Sequence, residues 1–394
     1  MDDTLVIVGM ARTPLGGLQG VLAPLAAHEL GAIAIEAAIR RAGLVPEDIE
    51  ETLMGCVLPA GQGQAPARQA AIGAGVPVST GATTVNKMCG SGMKTLMLAC
   101  DSIKAGSNQI VVAGGMESMT NAPYLLPKAR DGMRLGHSQV VDHMFLDGLE
   151  DAYDRGNLMG TYADATARKY DFSREAQDTY AIESLARAKK AGEDGEFSAE
   201  IVPIRIKGRK GETIVDADEQ PAKGNPDKIP QLRPAFDKDG TVTAANSSSI
   251  SDGAAALVLM PEAIAEARGL RPIARILGQV THAQEPALFT TAPVGAITKL
   301  LEQVGWSTEN VDLYEINEAF AVVTMAAMQD LGLPHDKVNV RGGACALGHP
   351  IGASGARIVV TLLQALHDSG KQCGVASLCI GGGEATAMAF ESII

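Results

Sequence analysis

Residues 85–93 read VNKMCGSGM, and this stretch lies where a strand-like segment gives way to a helical one. The preceding residues 82–85 are strand-like, and residues 93–105 have the apolar spacing of a helix. Cys89 is therefore predicted at a helix N-terminus, where partial positive charge and free N–H groups favour a thiolate. The flanking glycines allow a sharp turn and a close approach of substrate. The stretch predicts a nucleophilic cysteine; a buried cysteine beside a glycine turn is the alternative.

Strand-like and helical segments alternate on both sides of this stretch. Short apolar runs at 5–9 and 109–113 are typical of parallel strands that are covered on both faces. Residues 28–43 have helical spacing and end at a glycine, which is a common helix stop. Hydrophobic residues make up 46% of the chain and aromatic residues only 4%, which favours a close-packed core rather than a β-sandwich. The alternation predicts a layered α/β fold.

The chain also contains a weak internal repeat. Residues 31–33 (GAI) recur as 295–297, and each copy opens a helical pattern. The first pattern ends at Gly43 and the second at Gly305. Two halves of similar plan, offset by about 260 residues, indicate a gene duplication.

The segment between these halves differs from both of them. Residues 119–249 have scattered Gly and Pro, mixed charge and polar runs. Within this segment, residues 171–191 predict an exposed helix that begins near Ser173. We expect the segment to be an insertion that covers the duplicated core.

Charge and composition exclude several functional classes. A net charge of -13 repels polyphosphate and excludes a general nucleic-acid binder, although local dipoles still allow a small anionic ligand. There is no apolar run of 18 residues, and the acidic N-terminus resembles neither a signal peptide nor a transit peptide. The 6 cysteines show neither a CxxC pair nor zinc-finger spacing. We therefore expect reduced thiols, no metal site and a cytoplasmic protein without a membrane partner.

A second stretch places a histidine before a predicted helix. Residues 342–357 read GGACALGHPIGASGAR, so His349 precedes that helix and Pro350 suits its first turn. A histidine held in this way can act as an acid or a base. In the repeat alignment it falls opposite Cys89, so the two side chains are predicted to meet near one internal axis. A helix-capping histidine is the alternative.

Two further stretches end strand-like runs. Residues 376–384 read ASLCIGGGE, so Cys379 enters a glycine turn whose N–H groups can hold an oxyanion. Glycines that serve only packing are the alternative there. Residues 314–320 read YEINEAF, and Asn317 can orient a water or a carbonyl group. Its alternative role is that of a helix N-cap.

In this order, the four stretches closely resemble those of the thiolase family, and especially of its acetyl-CoA acetyltransferase branch. The resemblance covers essentially the whole chain. It implies an α/β fold with a duplicated five-layered α-β-α-β-α core and an inserted loop domain. The N-terminal half would comprise residues 1–118 with 250–271, the inserted domain residues 119–249, and the C-terminal half residues 272–394.

The resemblance also implies a reaction, in which two acetyl-CoA condense to acetoacetyl-CoA and CoA, reversibly, through an acyl group on Cys89. His349 would take the proton of that thiol. Cys379 would exchange a proton at the α-carbon of the second acyl-CoA. Asn317, through a water and with His349, would stabilise the thioester enolate. The N–H groups of Cys89 and Gly381 would hold the tetrahedral intermediates.

The family match assigns a further set of residues to the substrate channel. They are Leu149, Leu158, Met159, Phe236, Ser248, Phe289, Ala319 and Phe320. Ser248 would contact the pantetheine arm, whereas ordinary core packing is the alternative for the apolar members. Basic residues available to meet the CoA 3′-phosphate are Lys207, Arg209, Lys210, Lys223 and Lys228, and a solvated face is the alternative for them. The implied partners are acetyl-CoA, acetoacetyl-CoA, CoA and copies of the chain in a homotetramer built from dimers, with no cofactor.

The sequence departs from the family pattern around the acyl pocket. Leu158 stands where many acetoacetyl-specific relatives have His, and Phe289 replaces a usual Met. These changes leave a broader-specificity degradative 3-ketoacyl-CoA thiolase as the alternative function. Cys345 replaces an aliphatic residue and is interpreted as a packing thiol. A decarboxylating ketoacyl synthase would need a second His in place of Asn317, and an inactive scaffold would have lost the cysteines.

Overall fold

The computed structural model of the chain describes residues 4–208 and 211–393. Its first part alternates strands and helices, as the sequence predicts. The elements are β1 (Leu5–Arg12), β2 (Gly16–Gly17), α1 (Ala27–Arg41), β3 (Glu51–Gly55), α2 (Pro66–Gly73), β4 (Gly81–Val85), α3 (Ser91–Lys104) and β5 (Val111–Ser118).

A segment of short strands and helices follows β5. Its elements are β6 (Tyr124–Leu125), β7 (Val141–Asp142), α4 (Met159–Lys169), α5 (Arg174–Glu193), β8 (Ile204–Gly208), β9 (Gly211–Val215) and α6 (Glu219–Lys223). The chain then returns to the main sheet in β10 (Ser251–Pro261), which leads into α7 (Glu262–Ala267). The domain boundaries given above, at residues 118, 249 and 271, stay a prediction.

The remaining elements repeat the plan of the first part. They are β11 (Ala274–Ala283), α8 (Ala292–Val304), β12 (Leu313–Ile316), α9 (Ala321–Leu331), α10 (Ala344–Leu347), α11 (Ser354–Ser369), β13 (Cys373–Ile380) and β14 (Glu384–Ser392). Where residues 119–250 separate β5 from β10, only Gly381, Gly382 and Gly383 separate the equivalent strands β13 and β14.

Strand pairing confirms the predicted duplication. The main sheet runs β4-β3-β5-β10-β1-β11-β14-β13-β12. In the first half β3 is parallel to β5, and β10 is antiparallel to both β5 and β1. In the second half β12 is parallel to β13, and β14 is antiparallel to both β13 and β11. The counterpart of β4 is reduced to a bridge between Tyr314 and Val338, and β1 joins β11 at the centre.

The core has three helical layers separated by the two halves of the sheet. Along β10, alternate side chains enter different clusters, because successive residues of a strand point to opposite faces. Ala256 and Val258 pack with α1 and α2, whereas Leu257 and Leu259 pack with α3 and α11. Helices α8 and α9 cover the far face of the second half. Each fully buried Leu or Val contributes about 1.5–3 kcal/mol to the free energy of folding. Burial of these side chains therefore strongly favours the five-layered α-β-α-β-α order.

Two details of the helices differ from expectation. We predicted an exposed helix at 171–191; α5 begins at the N-cap Ser173 as predicted, but one face of it is buried, because it packs on α6, α9 and α10. We also predicted Pro350 in the first turn of a helix. Instead α11 begins at Ser354, and Pro350 lies in the preceding turn, where its carbonyl accepts from the N–H groups of Ala353 and Ser354. None of the helices in the described ranges is long and apolar enough to cross a membrane.

Close backbone packing between the halves gives a stability prediction. A Cβ on Gly115 would lie 2.0 Å from the carbonyl oxygen of Gly352, so Gly115→Ala forces two backbone segments apart. We expect a loss of at least about 1–3 kcal/mol in the free energy of unfolding, measured by urea denaturation. The control is Gly192→Ala, since nothing lies within 4 Å of its added Cβ. That helical substitution should be neutral or stabilising by about 0.5–1 kcal/mol; equal stability of the two variants would contradict the packing argument.

Candidate active site

Cys89 lies on a tight turn between β4 and α3. The residue before it, Met88, has a left-handed φ of 48°, which costs a side-chain-bearing residue roughly 1–2 kcal/mol. Hydrogen bonds hold the turn in this state: the Ser91 hydroxyl donates to the Met88 carbonyl at 2.6 Å and accepts from the Lys87 N–H at 2.9 Å. The Lys87 ammonium also pairs with Glu384 of β14, at 2.6 Å. The cysteine is thereby fixed against the second half of the chain.

The electrostatics of Cys89 correct one expectation. We predicted that the helix N-terminus would favour its thiolate. Burial instead raises the pKa of Cys89 to about 11, although hydrogen bonds from the N–H groups of Gly381 and of Cys89 itself act in the opposite direction. The charge of Glu117 raises it further. The thiol is therefore the resting form, and a base must take its proton as a new bond forms.

His349 can serve as that base because its tautomer is fixed. Its Nδ1 lies 2.5 Å from the hydroxyl of Ser354, and that hydroxyl donates to the Pro350 carbonyl at 2.9 Å. The hydroxyl must therefore accept from Nδ1–H, which leaves Nε2 without a proton. Within residues 4–208 and 211–393, nothing hydrogen-bonds this buried Nε2. Burial, helped by the charge of Arg357, lowers the pKa of His349 to about 3, so the imidazole is neutral at ordinary pH.

Asn317 presents a buried amide group. It is not a helix N-cap, because α9 begins four residues later with Phe320 as its N-cap. Its backbone N–H donates to the Ser377 carbonyl at 3.0 Å, which ties it to β13. Neither Oδ1 nor Nδ2 of the side chain has a hydrogen-bond partner among the described residues. Since a buried unpaired amide costs free energy, this arrangement points to a polar guest such as a water or a carbonyl oxygen.

Cys379 and Gly381 occupy the end of β13. The Cys379 thiol is buried, and this desolvation, together with the nearby Cys89, raises its pKa well above the usual range. Gly381 directs its N–H at the sulfur of Cys89. Two backbone N–H groups, those of Cys89 and Gly381, therefore point at the Cys89 sulfur.

These residues surround one small cavity. It is lined by Cys89, Gly148, Leu149, Met159, Ser248, Phe289, Ala319, Phe320, His349, Ile351, Cys379 and Gly381. Its volume is about 60 Å³, on a measure in which a single water needs about 10–15 Å³. The cavity thus has room for a group of a few heavy atoms beside two thiols and an imidazole.

The other predicted residues lie near this cavity. Asn317 lies two residues before Ala319, which lines the cavity. Phe236 packs behind the cavity, where its ring lies edge-on to the ring of Phe320 with 6.0 Å between the ring centroids. Leu158 is the N-cap of α4 and bridges to Glu150, so it holds the helix whose first residue lines the cavity.

Sequence reasoning missed three residues of this region. Ile351 lies two residues after His349 and Gly148 lies directly before Leu149, and that proximity was the available signal for both. Glu117 is the third: its buried carboxylate accepts from the N–H groups of Val57, Leu58 and Gly352 at 2.9–3.2 Å. Burial raises the pKa of Glu117 to about 7. Through these hydrogen bonds, Glu117 connects Gly352, in the loop that follows His349 in the second half, to Val57 and Leu58 in the first half, behind the nucleophile.

A second, larger cavity has a volume of about 290 Å³. Ser249, next to Ser248, borders it together with Lys223, Lys228 and Cys345. Two of the five basic residues proposed for a phosphate therefore lie at this opening. Lys207 lies on β8, away from it, and residues 209 and 210 fall outside the described ranges. All six cysteines are free thiols, and the described residues contain no group of three or more His, Cys, Asp or Glu suited to a metal ion.

Comparison with known families covers nearly the whole chain. The model of the thiolase N-terminal domain matches residues 5–263, and that of the thiolase C-terminal domain matches residues 270–392.

Curated relatives and solved structures agree with these matches. Acetyl-CoA acetyltransferase 2 of Arabidopsis thaliana is 52% identical over 98% of this chain and 96% of its own length. An acetyl-CoA acetyltransferase of Chromobacterium violaceum is 49% identical over 98% and 99%. Among solved structures, the acetyl-CoA acetyltransferase of Bacillus anthracis superimposes with a TM-score of 0.96 at 41% identity, covering 99% of each chain. A thiolase of Ascaris suum in complex with coenzyme A gives 0.94 at 43%, covering 99% of this chain and 100% of its own.

Proposed function

The chain belongs to the thiolase family, and we propose that it is an acetyl-CoA acetyltransferase, which condenses two acetyl-CoA to acetoacetyl-CoA and CoA and also runs in reverse as a thiolase. The observation that carries the proposal is the meeting of Cys89, His349, Cys379 and Gly381 around one cavity of about 60 Å³. Acyl transfer between thioesters needs a nucleophile, a base and an oxyanion site, and this cavity offers all three.

In the first half-reaction, Cys89 attacks the carbonyl carbon of acetyl-CoA. His349 takes the thiol proton at Nε2, because Nδ1 already donates to Ser354. The N–H groups of Cys89 and Gly381 stabilise the tetrahedral oxyanion. The proton then passes to the sulfur of the departing CoA, which leaves an acetyl thioester on Cys89 and neutral groups elsewhere.

In the second half-reaction, a second acetyl-CoA loses an α-proton, and its carbanion attacks the acetyl group. His349 takes the proton of the Cys379 thiol at Nε2, and the Cys379 thiolate removes the α-proton. The enolate oxygen then accepts from His349 Nε2–H and from a water held by the Asn317 amide, two polar groups that lack other partners among the described residues. When acetoacetyl-CoA is released, the Cys89 sulfur leaves with the proton of His349 Nε2 while the α-proton stays on Cys379, so the enzyme returns to its starting state.

The larger cavity is the proposed route of the CoA arm. Ser248 lines the small cavity and its neighbour Ser249 borders the larger one, so a chain that passes this point joins the two. The pantetheine would run along Ser248, with Met159 and Phe320 beside the thioester. Lys223 and Lys228 at the opening suit the phosphates of the nucleotide.

The proposal extends to the assembly and location of the chain. We propose a cytoplasmic homotetramer built from dimers. Exposed apolar side chains on the segment around β6 and β7 support self-association: Leu126, Leu135 and Val140 are 49%, 98% and 63% exposed. Six free thiols suit a reducing compartment.

The proposal is tested by thiolysis of 3-ketoacyl-CoA substrates of four to ten carbons. The small cavity is closed by Phe289, which is 3% exposed and packs edge-on against Tyr162 at 6.3 Å. We expect the highest rate with four carbons, measurable activity at five or six, and a steep fall by eight to ten. An optimum at eight or more carbons would instead identify the broader degradative thiolase.

Phe289→Ala should widen this range. Removing the ring enlarges the acyl end of the cavity, and each methylene that it then buries contributes about 0.8 kcal/mol, or close to fourfold in kcat/KM. We therefore expect the ratio of eight-carbon to four-carbon activity to rise by about 10-fold or more. The matched control is Leu288→Ala, the neighbouring residue on the same turn, which is 37% exposed and should leave the ratio unchanged. An unchanged ratio in Phe289→Ala would remove this residue from the specificity pocket.

A further inference from the structure

The peptide segment that carries Asn317 is held on one side by the side chain of Asn339. The Asn339 Oδ1 accepts from the N–H of Ile316 at 2.8 Å, and its Nδ2 donates to the carbonyl of Ile316, also at 2.8 Å. Both backbone groups of the residue before Asn317 are therefore bound by one amide. Asn339 is 1% exposed, so water does not compete for these bonds.

On the other side, the carboxylate of Glu318 is buried and accepts four hydrogen bonds. Their donors are Asn339 Nδ2 at 2.9 Å, the Tyr180 hydroxyl at 2.9 Å, the Ser184 hydroxyl at 2.7 Å and the Cys345 N–H at 3.1 Å. Charge-assisted hydrogen bonds of this number offset the cost of burying a carboxylate. The same Asn339 amide thus holds the residues before and after Asn317.

The backbone of Asn339 is itself fixed in an uncommon conformation. Its φ is 48°, in the left-handed region, which Asn adopts more readily than most residues. Its N–H donates to the Tyr314 carbonyl at 2.9 Å, on β12, which leads into Asn317. Asn339 therefore bridges the strand before Asn317 and the carboxylate after it.

The contrast with Asn317 itself is sharp. Its neighbours Ile316 and Glu318 are held by the six hydrogen bonds described above, whereas its own side-chain amide has no hydrogen-bond partner within residues 4–208 and 211–393. We propose that Asn339 and Glu318 form a clamp that positions the Asn317 amide for the enolate of the second acetyl-CoA, and that Tyr180 and Ser184 couple this clamp to the inserted segment. The inference rests on the proposed function, since only that function includes an enolate.

The clamp acts on one half-reaction more than on the other. The oxyanion site for acylation consists of N–H groups of Cys89 and Gly381, which belong to the turn before α3 and the turn after β13. The clamp contacts neither turn directly. Weakening it should therefore impair enolate formation while largely sparing acetylation of Cys89. A purely structural role would lower both in parallel.

The test variant is Asn339→Gly, because glycine keeps the left-handed backbone without strain and removes only the side chain. Acetylation of Cys89 by acetyl-CoA is measured by rapid quench and mass spectrometry, and exchange of the acetyl α-protons in D₂O by NMR. We expect exchange to fall by about 10²-fold, comparable to the loss of an oxyanion donor, and acetylation to stay within about 3-fold. The control is Gln19→Gly, since Gln19 also has a left-handed φ, of 54°, but is exposed, and this variant should change neither rate.

Tyr180→Phe provides the second, milder variant, since it removes one of the four donors to Glu318 without changing shape. Like Asn339→Gly, it should lower the rate of α-proton exchange relative to the rate of Cys89 acetylation. If Asn339→Gly does not fold, this variant alone tests the clamp. With an active wild type, an unchanged ratio of the two rates in both variants would overturn the clamp and leave the proposed function intact. A wild type that neither acetylates Cys89 nor exchanges α-protons would overturn the proposed function, and the clamp with it.

Discussion

Cys89→Ser should lose nearly all condensation and thiolysis activity, by at least about 10³-fold. A serine hydroxyl is far less acidic than a thiol, and the site gives it only a neutral imidazole whose pKa is about 3. Incubation of the wild type with acetyl-CoA should place the acetyl group on Cys89, located by peptide mass spectrometry. The control is Cys373→Ser, a half-buried free thiol at the start of β13, which should keep its activity. Acetyl label on Cys379 or Cys345 would refute the assignment.

The pH dependence of this step follows from the shifts of Cys89 and His349. Because burial lowers the pKa of His349 to about 3, the imidazole stays neutral when the pH falls from 8 to 6. The acetylation rate should therefore not fall near pH 6.5, where an ordinary histidine takes up its proton. Alkylation of the free enzyme by iodoacetamide should rise steadily with pH toward the pKa of about 11, since only the thiolate reacts.

The order of strands and helices was predictable from sequence because burial patterns are local. The runs at 5–9 and 109–113 became β1 and β5, and the glycine stops Gly43 and Gly305 lie just after α1 and α8 with φ of 72° and 70°. The repeat added the one long-range inference, that Cys89 and His349 face each other. That inference needed only similar spacing in two halves of one plan, and the two residues line the same cavity.

The chemical state of the site was not predictable in the same way. Helix position favoured a thiolate at Cys89, but desolvation depends on what packs around the sulfur and outweighs the helix terminus here. The tautomer of His349 depends on Ser354, and the backbone next to Asn317 is held by Asn339, 22 positions farther along the chain. Nothing in the local sequence marked Glu117, because its hydrogen-bond partners Val57, Leu58 and Gly352 are distant in the chain. These properties come from tertiary contacts, which no local pattern encodes.

Cys379→Ala should separate the two half-reactions. The variant should still acquire the acetyl group on Cys89, because the base His349 and the N–H groups of Cys89 and Gly381 are untouched. It should lose carbon–carbon bond formation and α-proton exchange by about 10²–10⁴-fold, the usual contribution of a positioned acid or base. Cys373→Ala, on the same strand, is the matched control and should retain both steps.

The electrostatics of the two thiols explain what Cys379 needs from its neighbours. Burial is the main reason that the pKa of Cys379 is raised, and a charge on Cys89 would add to it. Cys89 is uncharged both as the resting thiol and as the acetyl thioester, so burial still holds the proton on Cys379 once the first half-reaction is complete. The neutral imidazole of His349 must therefore take the Cys379 proton when an α-proton is removed. If acetylation of Cys379→Ala fails as completely as that of Cys89→Ser, the division of labour between the two cysteines is wrong.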